Sequence, residues 1–381
     1  MLIRTKTSGC ADSKSTDIAR FVVNGRFLSQ RPTGVQRVAR EIVAALDRLI
    51  GEGSYPGLSV KVVAPVGCRS NFARIGCRYI DLEEAPGASG HVWEQTVLPR
   101  YVRGGRLICL GNSAPIATLL SSNPPAVMLH DQAHLLYPKD YSLAYRLAHR
   151  VVEAFILRRA EPILLVSAAE RANLATRHPG AAARAVVVPN GSWSDDAICG
   201  PPRSISAAHA LGYGLFVGSP TARKNIDVVL AVAVRLARDH RTEFKIVGPP
   251  SESLSLRIPS DVQSLVQIVG YVSDDDMPEL YRQAAFLLYP SFYEASGLPP
   301  TEAMTFGCPV IVSDLPVLRE RLGNDAIYCH PYDHMSFYSA AERLLFDPKR
   351  ASALSRGGLR RVAALTWRSQ ASAIIEAVSQ S

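Results

Sequence analysis

Residues 286–314 read FLLYPSFYEASGLPPTEAMTFGCPVIVSD, and four elements follow one another there without a break. An apolar strand leads into a loop of small residues, then a short helix over 300–306, then a second apolar strand. Pro299 and Pro300 suit a helix entry, where a missing N–H costs nothing, and Gly307 suits its end. Two glutamates sit inside this unit. Glu294 ends the aromatic run Ser291-Phe292-Tyr293, and Glu302 lies eight residues on, in the first helical turn. The loop Ala295-Ser296-Gly297-Leu298 has no bulky polar side chain, so the N–H groups of Ser296, Gly297 and Leu298 can approach a ligand, and free N–H groups at a helix start favour an anion. A glutamate in a first helical turn also stabilises the helix dipole unaided, by roughly 0.3–1 kcal/mol. Glu294 differs, because it falls among apolar residues where a carboxylate must find partners or shift its pKa.

Working outward, the same unit recurs through the second half of the chain. Leu215-Phe216-Val217 is a strand, Gly218-Ser219 opens a small-residue turn that carries the pair Arg223-Lys224, and a helix follows over 228–238. Cations oppose the dipole at a helix start, so the pair needs another reason to be there; a planar guanidinium fork and a compact ammonium suit a diphosphate. Residues 244–247 before Gly248, and 266–269 before Gly270-Tyr271-Val272-Ser273, read as two more strand-and-turn units, with a capped helix start from Ser273 to Glu279. Three consecutive aspartates, 274–276, do not converge on one ion, so no metal is expected. After the central unit come a short helix over 316–321, a strand over 326–329, helices over 336–346 and 350–364, and a last amphipathic helix over 368–379.

The first half alternates in the same way. A strand at 21–23 leads through a glycine loop to a helix over 35–50, in which Val35, Val38, Ile42, Val43, Leu46, Leu49 and Ile50 recur at helical spacing while Arg37, Arg40, Glu41, Asp47 and Arg48 take the opposite face. Gly34 opens that helix, where backbone N–H groups can meet a phosphate. Strands are predicted at 60–64, 78–80, 107–110, 126–129, 163–167 and 185–189, with a helix near 91–103. The strand 126–129 ends in His130-Asp131, and open α/β sheets place ligands at the carboxyl ends of their strands, which makes His130 a candidate. A helix over 141–160 has a basic side and an apolar side including Leu143, Leu147, Val151, Ala154 and Phe155, read as core-facing with a solvated arginine face. Residues 1–18 read as a loose leader and 195–210 as an interdomain linker. The resulting expectation is a first domain over 1–200, a second over 201–365 and a closing helix over 366–381.

With 381 residues and 47% apolar content, the chain can bury two cores. Seven cysteines lie scattered without metal-ligand spacing, and are expected to be reduced and mostly buried. Together with a polar start that lacks an apolar leader, they suggest a cytoplasmic protein. The net charge of +8 is uneven: residues 1–200 hold 24 Lys/Arg against 16 Asp/Glu, and residues 201–381 hold 18 of each. An anionic partner for the first half follows, such as a membrane face or a phosphorylated lipid, although a solvated basic surface explains the same numbers. No aromatic RNA-binding motif, zinc finger or basic block points to nucleic acid.

The two glutamates eight apart, followed by Ala303-Met304 and by Gly307, Pro309-Val310-Ile311-Val312-Ser313-Asp314, resemble the signature of the retaining GT-B glycosyltransferases of family GT4. Thr33-Gly34-Val35-Gln36-Arg37-Val38, His130-Asp131 with Leu136-Tyr137-Pro138, residues 186–191 (VVVPNG) and Gly218 with Arg223-Lys224-Asn225 are similar to further GT4 segments. The resemblance covers most of residues 20–370. Ala295 and Ser296 depart from the family's usual Gly and Phe, and Ser219 stands where many members have arginine. The resemblance implies an α/β fold of two Rossmann-like parallel-sheet domains facing a cleft, with the last helix crossing back to the first domain. It implies a nucleotide-sugar donor held by Gly34, Gly218, Ser219, Arg223, Lys224, Val272, Ser296, Gly297, Leu298 and Glu302. His130 and Glu294 would act at the donor sugar, with no cofactor and no metal. General similarity to bacterial mannosyltransferases suggests mannose from GDP-mannose and a polyprenyl-diphosphate-linked acceptor, at the inner face of a membrane. A glycosidase using both glutamates would leave Arg223-Lys224 unexplained, and a dehydrogenase would need a Gly-x-Gly-x-x-Gly turn that is absent. A catalytically silent sugar-nucleotide-binding subunit is the alternative.

Overall fold

The computed structural model describes residues 20–31, 33–131, 143–193, 212–249 and 257–381. The leader, the 195–210 linker, His134 and Leu136-Tyr137-Pro138 lie outside the described residues, so nothing is said of their structure.

Thirteen strands among the described residues form two sheets, parallel throughout. The first has the order β3-β2-β1-β4-β5-β6-β7: β1 Arg20–Asn24, β2 Ser59–Pro65, β3 Asp81–Ala85, β4 Arg106–Cys109, β5 Ala126–Leu129, β6 Ile163–Leu165 and β7 Ala185–Val187. The second runs β10-β9-β8-β11-β12-β13: β8 Gly214–Val217, β9 Phe244–Val247, β10 Val266–Gly270, β11 Phe286–Tyr289, β12 Val310–Ser313 and β13 Ile327–Cys329. In each sheet the order reverses beside the first strand, between β1 and β4 and between β8 and β11. Such switch points open a crevice at the carboxyl ends of the strands.

Helices cover both faces, which is why the inner strands are apolar on both sides. Those that matter for the site are α1 Gly34–Gly51, α2 Gly90–Thr96, α3 Leu143–Arg159, α4 Ala168–Arg177, α5 Ile226–His240, α6 Met277–Gln283, α7 Leu298–Thr305, α8 Pro316–Leu322, α9 His334–Phe346, α10 Pro348–Val362 and α11 Trp367–Ser379. One core lies between the first sheet, α1 and α11, joining Val23, Ile42 and Leu46 to Trp367, Ile374 and Val378. Another fills the far face of that sheet around Trp93 and Leu129, and two more flank the second sheet around Phe216 and Phe244 and around Tyr281 and Leu318.

Four expectations are corrected. The strand predicted at 78–80 is absent because the Asp47 carboxylate accepts the N–H groups of Arg78, Tyr79 and Ile80 at 2.7–3.0 Å, and the edge strand is the acidic stretch 81–85 instead. Asp47 is therefore buried and not on the solvent face of α1. The helix near 91–103 stops at Thr96 and passes into a short 3-10 turn, Leu98–Tyr101, with Pro99 at its start. In α3, Leu147 and Val151 are exposed, and the helix buries Ile156 and Leu157 near its end. The cysteines at 68, 109, 308 and 329 are buried and that at 77 half-buried, all as free thiols. Among the described residues no helix is long and apolar enough to cross a membrane, and no three His, Cys, Asp or Glu are grouped to hold a metal ion.

Candidate active site

The switch point of the second sheet gathers the charged residues. After β8, Gly218 turns at φ 149° and the chain passes through the 3-10 turn Ala222–Lys224 to Asn225, which takes a left-handed conformation (φ 55°) before α5. The Asn225 amide donates to the carbonyls of Pro290 and Pro331, at 3.0 and 2.7 Å, and the Phe292 N–H donates to the Arg223 carbonyl. These bonds lock the turn after β8 to the turn after β11. The neighbouring turn is close behind: a Cβ on Gly248 would lie 2.0 Å from the Gly218 oxygen, so only glycine fits there.

This bracing brings Lys224 onto Glu294. The Lys224 Nζ donates to Glu294 Oε1 and to the Tyr289 hydroxyl, both at 2.6 Å, and Arg223 Nη1 lies 4.0 Å from Glu294 Oε2 while donating to the Tyr293 carbonyl at 3.2 Å. Burial works to raise the Glu294 carboxyl, yet the charges of Lys224 and Arg223 hold it below the ordinary glutamate value. Burial pulls the Lys224 ammonium below its ordinary value against the opposing charge of Glu294. The pair is a charged, desolvated unit at the base of the crevice.

Glu302, 4% exposed in α7, is held by a second set. Its Oε2 accepts from the Tyr281 hydroxyl and its Oε1 from Arg37 Nη1, both at 2.9 Å. Arg37 comes from α1 of the first domain, stacks 4.0 Å above the Trp193 ring and lies 3.9 Å from Asp274. Burial lifts the Glu302 carboxyl above its ordinary value, with Arg37 and the Tyr281 hydroxyl pulling against it. Burial also weighs against the Arg37 guanidinium, but Glu302 and Asp274 hold it above the ordinary arginine value.

The loop between the glutamates meets the first domain. Gly297 sits at φ 67°, where a Cβ would be 2.5 Å from Leu318, and the two prolines leave Leu298 as the first helical N–H of α7. Ser296 Oγ accepts from the Asn190 amide at 2.9 Å. Ala295 and Leu298 pack into the first domain's core, and a Cβ on Gly34 would lie 4.0 Å from Leu298. Tyr293 reaches across to Glu170, donating to Oε2 at 3.0 Å.

His130 follows β5. Its N–H donates to Asn112 Oδ1 at 2.6 Å and its Nε2 lies 2.7 Å from the Leu110 carbonyl, so that nitrogen carries the proton. Burial depresses the ring below the ordinary histidine value and keeps it neutral, with Nδ1 as its acceptor. The charge of its neighbour Asp131 acts on Lys224, which sets this turn opposite the second domain's basic pair. Ser219 is exposed on the turn after β8, and Val272 is half-buried against the second domain's core.

The structure thus joins Arg223, Lys224 and Glu294 in one cluster, sets Gly218 beside Lys224, and places Gly34, Ser296, Leu298 and Glu302 along the seam between the domains. Sequence reading missed Arg37, Tyr281, Tyr289 and Trp193. Arg37 lay on the polar side of a helical pattern, where nothing reveals a partner 265 residues away, and Tyr289 lay in an apolar run that reads as core.

Comparison with known proteins agrees with this geometry. Residues 210–361 match the family model of the group 1 glycosyl transferases. The O-antigen chain mannosyltransferase RfbU of Salmonella typhimurium is 27% identical over 245 residues, 62% of this chain and 67% of that protein. The O-antigen chain mannosyltransferase B of Escherichia coli is 30% identical over 162 residues, 41% of this chain and 42% of that protein, so this match spans less than half of its length. Among solved structures, the sucrose-phosphate synthase of Thermosynechococcus elongatus superposes with a TM-score of 0.71 at 19% identity, covering 95% of this chain and 98% of that one. With two parallel-sheet domains, a braced basic turn after β8 and paired glutamates in the loop after β11 and in α7, the chain has the GT-B fold, and its residues 210–361 belong to the group 1 glycosyl transferases.

Proposed function

We propose that the chain transfers a mannosyl residue, with retention, from GDP-mannose to a polyprenyl-diphosphate-linked oligosaccharide. The observation that carries this reading is the buried Lys224–Glu294 pair at the switch point of the second sheet, with Glu302 behind it. A diphosphate arriving at Arg223 and Lys224 meets two cations fixed in place by the Asn225 and Tyr289 contacts, so charge building on the leaving phosphate is met without reorganisation. Glu294 accepts hydrogen bonds from hydroxyls of the donor sugar, and Glu302 accepts them from hydroxyls of the ribose. The neutral His130 ring offers Nδ1 to the sugar from the other side. For the ribose to reach Glu302 Oε1, Arg37 must give up its bond there, so donor binding exchanges an interdomain contact for a ligand contact. The leaving diphosphate accepts the proton of the attacking hydroxyl on the same face of the sugar, which needs no protein nucleophile.

The choice of mannose and of a growing glycan chain as acceptor is supported by the two O-antigen chain mannosyltransferases among the relatives. The exposed Leu147 and Val151 of α3, beside Arg150, support contact with an anionic membrane through the first domain. The test is nucleotide release from GDP-, UDP- and dTDP-sugars by the purified protein, with and without lipid-linked acceptor extract, beside Glu294→Ala. Acceptor-dependent release of GDP from GDP-mannose, lost in the variant, is expected. Tight binding of a sugar nucleotide without release under either condition would identify a silent binding subunit instead.

A further inference from the structure

The first domain grips the loop that carries Glu294 on both sides of that residue. Glu170, in the first turn of α4, is 4% exposed, and the Ser167 hydroxyl accepts its N–H at the helix start. Asn173 donates to its Oε1 at 3.1 Å and the Tyr293 hydroxyl to its Oε2 at 3.0 Å, so each oxygen of the carboxylate is directed. Burial raises this carboxyl above the ordinary glutamate value, and the two hydrogen bonds work against that rise. The charge of Asp131 raises it further, which sets Glu170 beside the turn that carries His130.

Tyr293 is also bound through its backbone. Its carbonyl accepts from Arg223 Nη1 at 3.2 Å, and the N–H of the preceding Phe292 donates to the Arg223 carbonyl at 2.9 Å. The main chain is thus tied to the basic turn of the second domain and the hydroxyl to the first domain. Glu294 comes next, Ala295 packs into the first domain's core, and Ser296 Oγ accepts from the Asn190 amide at 2.9 Å. Of these four residues Glu294 bonds within its own domain, to Lys224, and the other three meet the first domain.

That division of contacts separates two tasks. Arg223, Lys224 and Glu302 all belong to the second domain, whereas the direction of Glu294 depends on a loop anchored in the first, the domain that carries His130. Resting on the glycosyltransferase reading, we propose that Glu170 is a positioning residue: through Tyr293 it sets the Glu294 carboxylate against the donor sugar, opposite His130. A misplacement of about 1 Å caused from outside the reacting centre can cost about a hundredfold in rate while the ligand stays bound.

The experiment measures kcat and KM for nucleotide release from GDP-, UDP- and dTDP-sugars with lipid-linked acceptor extract. It compares wild type, Glu170→Ala, Glu170→Gln, Tyr293→Phe and the double variant Glu170→Ala/Tyr293→Phe, with calorimetry for the affinity of each for the free nucleotide. Loss of a bond to a charged group should lower kcat about tenfold in Glu170→Ala and in Tyr293→Phe, with free-nucleotide affinity unchanged. The double variant should fall no further than the singles, because both remove the same contact. Glu170→Gln, whose amide oxygen still accepts from Tyr293, should recover part of the loss. Tyr293→Phe removes a single oxygen and carries the test by itself if Glu170→Ala does not fold. Wild-type kcat in Tyr293→Phe, additive losses in the double variant, or a fall in nucleotide affinity in step with kcat would overturn the proposal. If wild type releases no nucleotide from any sugar nucleotide, the transferase reading fails and this proposal with it; turnover that wild type shows and the variants keep overturns this proposal alone.

Discussion

At the scale of single residues, the site is a matter of which charges are already matched. Lys224 and Glu294 neutralise each other within one domain, whereas Glu302 is neutralised by Arg37 from the other. In the proposed site the first arrangement is kept when the sugar nucleotide binds and the second is exchanged. A hydrogen bond to a charged group contributes about 1.5 kcal/mol or more. Arg37→Ala should therefore lower the melting temperature of the free protein yet tighten GDP-sugar binding about tenfold, because Glu302 is released. Calorimetric titration checks this, and weaker binding would instead make Arg37 part of the nucleotide's own surface. Neither role was visible in the sequence, where Arg37 was one of several arginines on a polar helix face. Glu294 was visible because a carboxylate in an apolar run is costly unless partnered, and Glu302 by its spacing of eight from it. Glu94, between Trp93 and the polar Gln95, stands in no such run, and its burial was not visible in the sequence.

At the scale of elements, local pattern explains most of the chain and long-range capping explains the exceptions. Apolar runs bounded by glycine and proline mark β8, β9, β11 and β12 within a residue or so, since buried parallel strands need little else. The pattern failed at 78–80, where one carboxylate 31 residues away took up the N–H groups a strand would have used. It could not foresee Glu320 in α8, which accepts the N–H groups of Ala168 and Ala169 at 2.8 and 3.0 Å and so caps α4 across the domain boundary. Removing such a cap costs about 0.5–2 kcal/mol. Glu320→Ala should lower stability by that amount in denaturant unfolding, with Glu320→Gln losing less; an unchanged midpoint in both would show that the contact does not hold the domains together.

At the scale of the molecule, the last helix belongs spatially to the first domain. Trp367 is fully buried, and Ile374, Ile375 and Val378 pack with α1 in the first domain's core, while Gln370 donates to the Val188 carbonyl and to Asn190 Oδ1. Asn190 in turn donates to Ser296 in the loop before α7, so the C-terminal helix, the first domain and the candidate site share one chain of contacts. Trp367→Ala should cost about 3–5 kcal/mol and, by loosening the first domain, lower the melting temperature more than it alters GDP affinity. Equal loss of both would mean that the helix positions the site directly. The switch point of the second sheet is proposed as a sugar-nucleotide site. Its most direct test is calorimetric titration of GDP-mannose into wild type, Lys224→Ala and Glu302→Gln. Saturable binding by wild type, weakened at least tenfold in each variant through loss of a charge-assisted bond of about 1.5 kcal/mol or more, is the predicted result; unchanged affinity in both variants, with the fold intact, would contradict it.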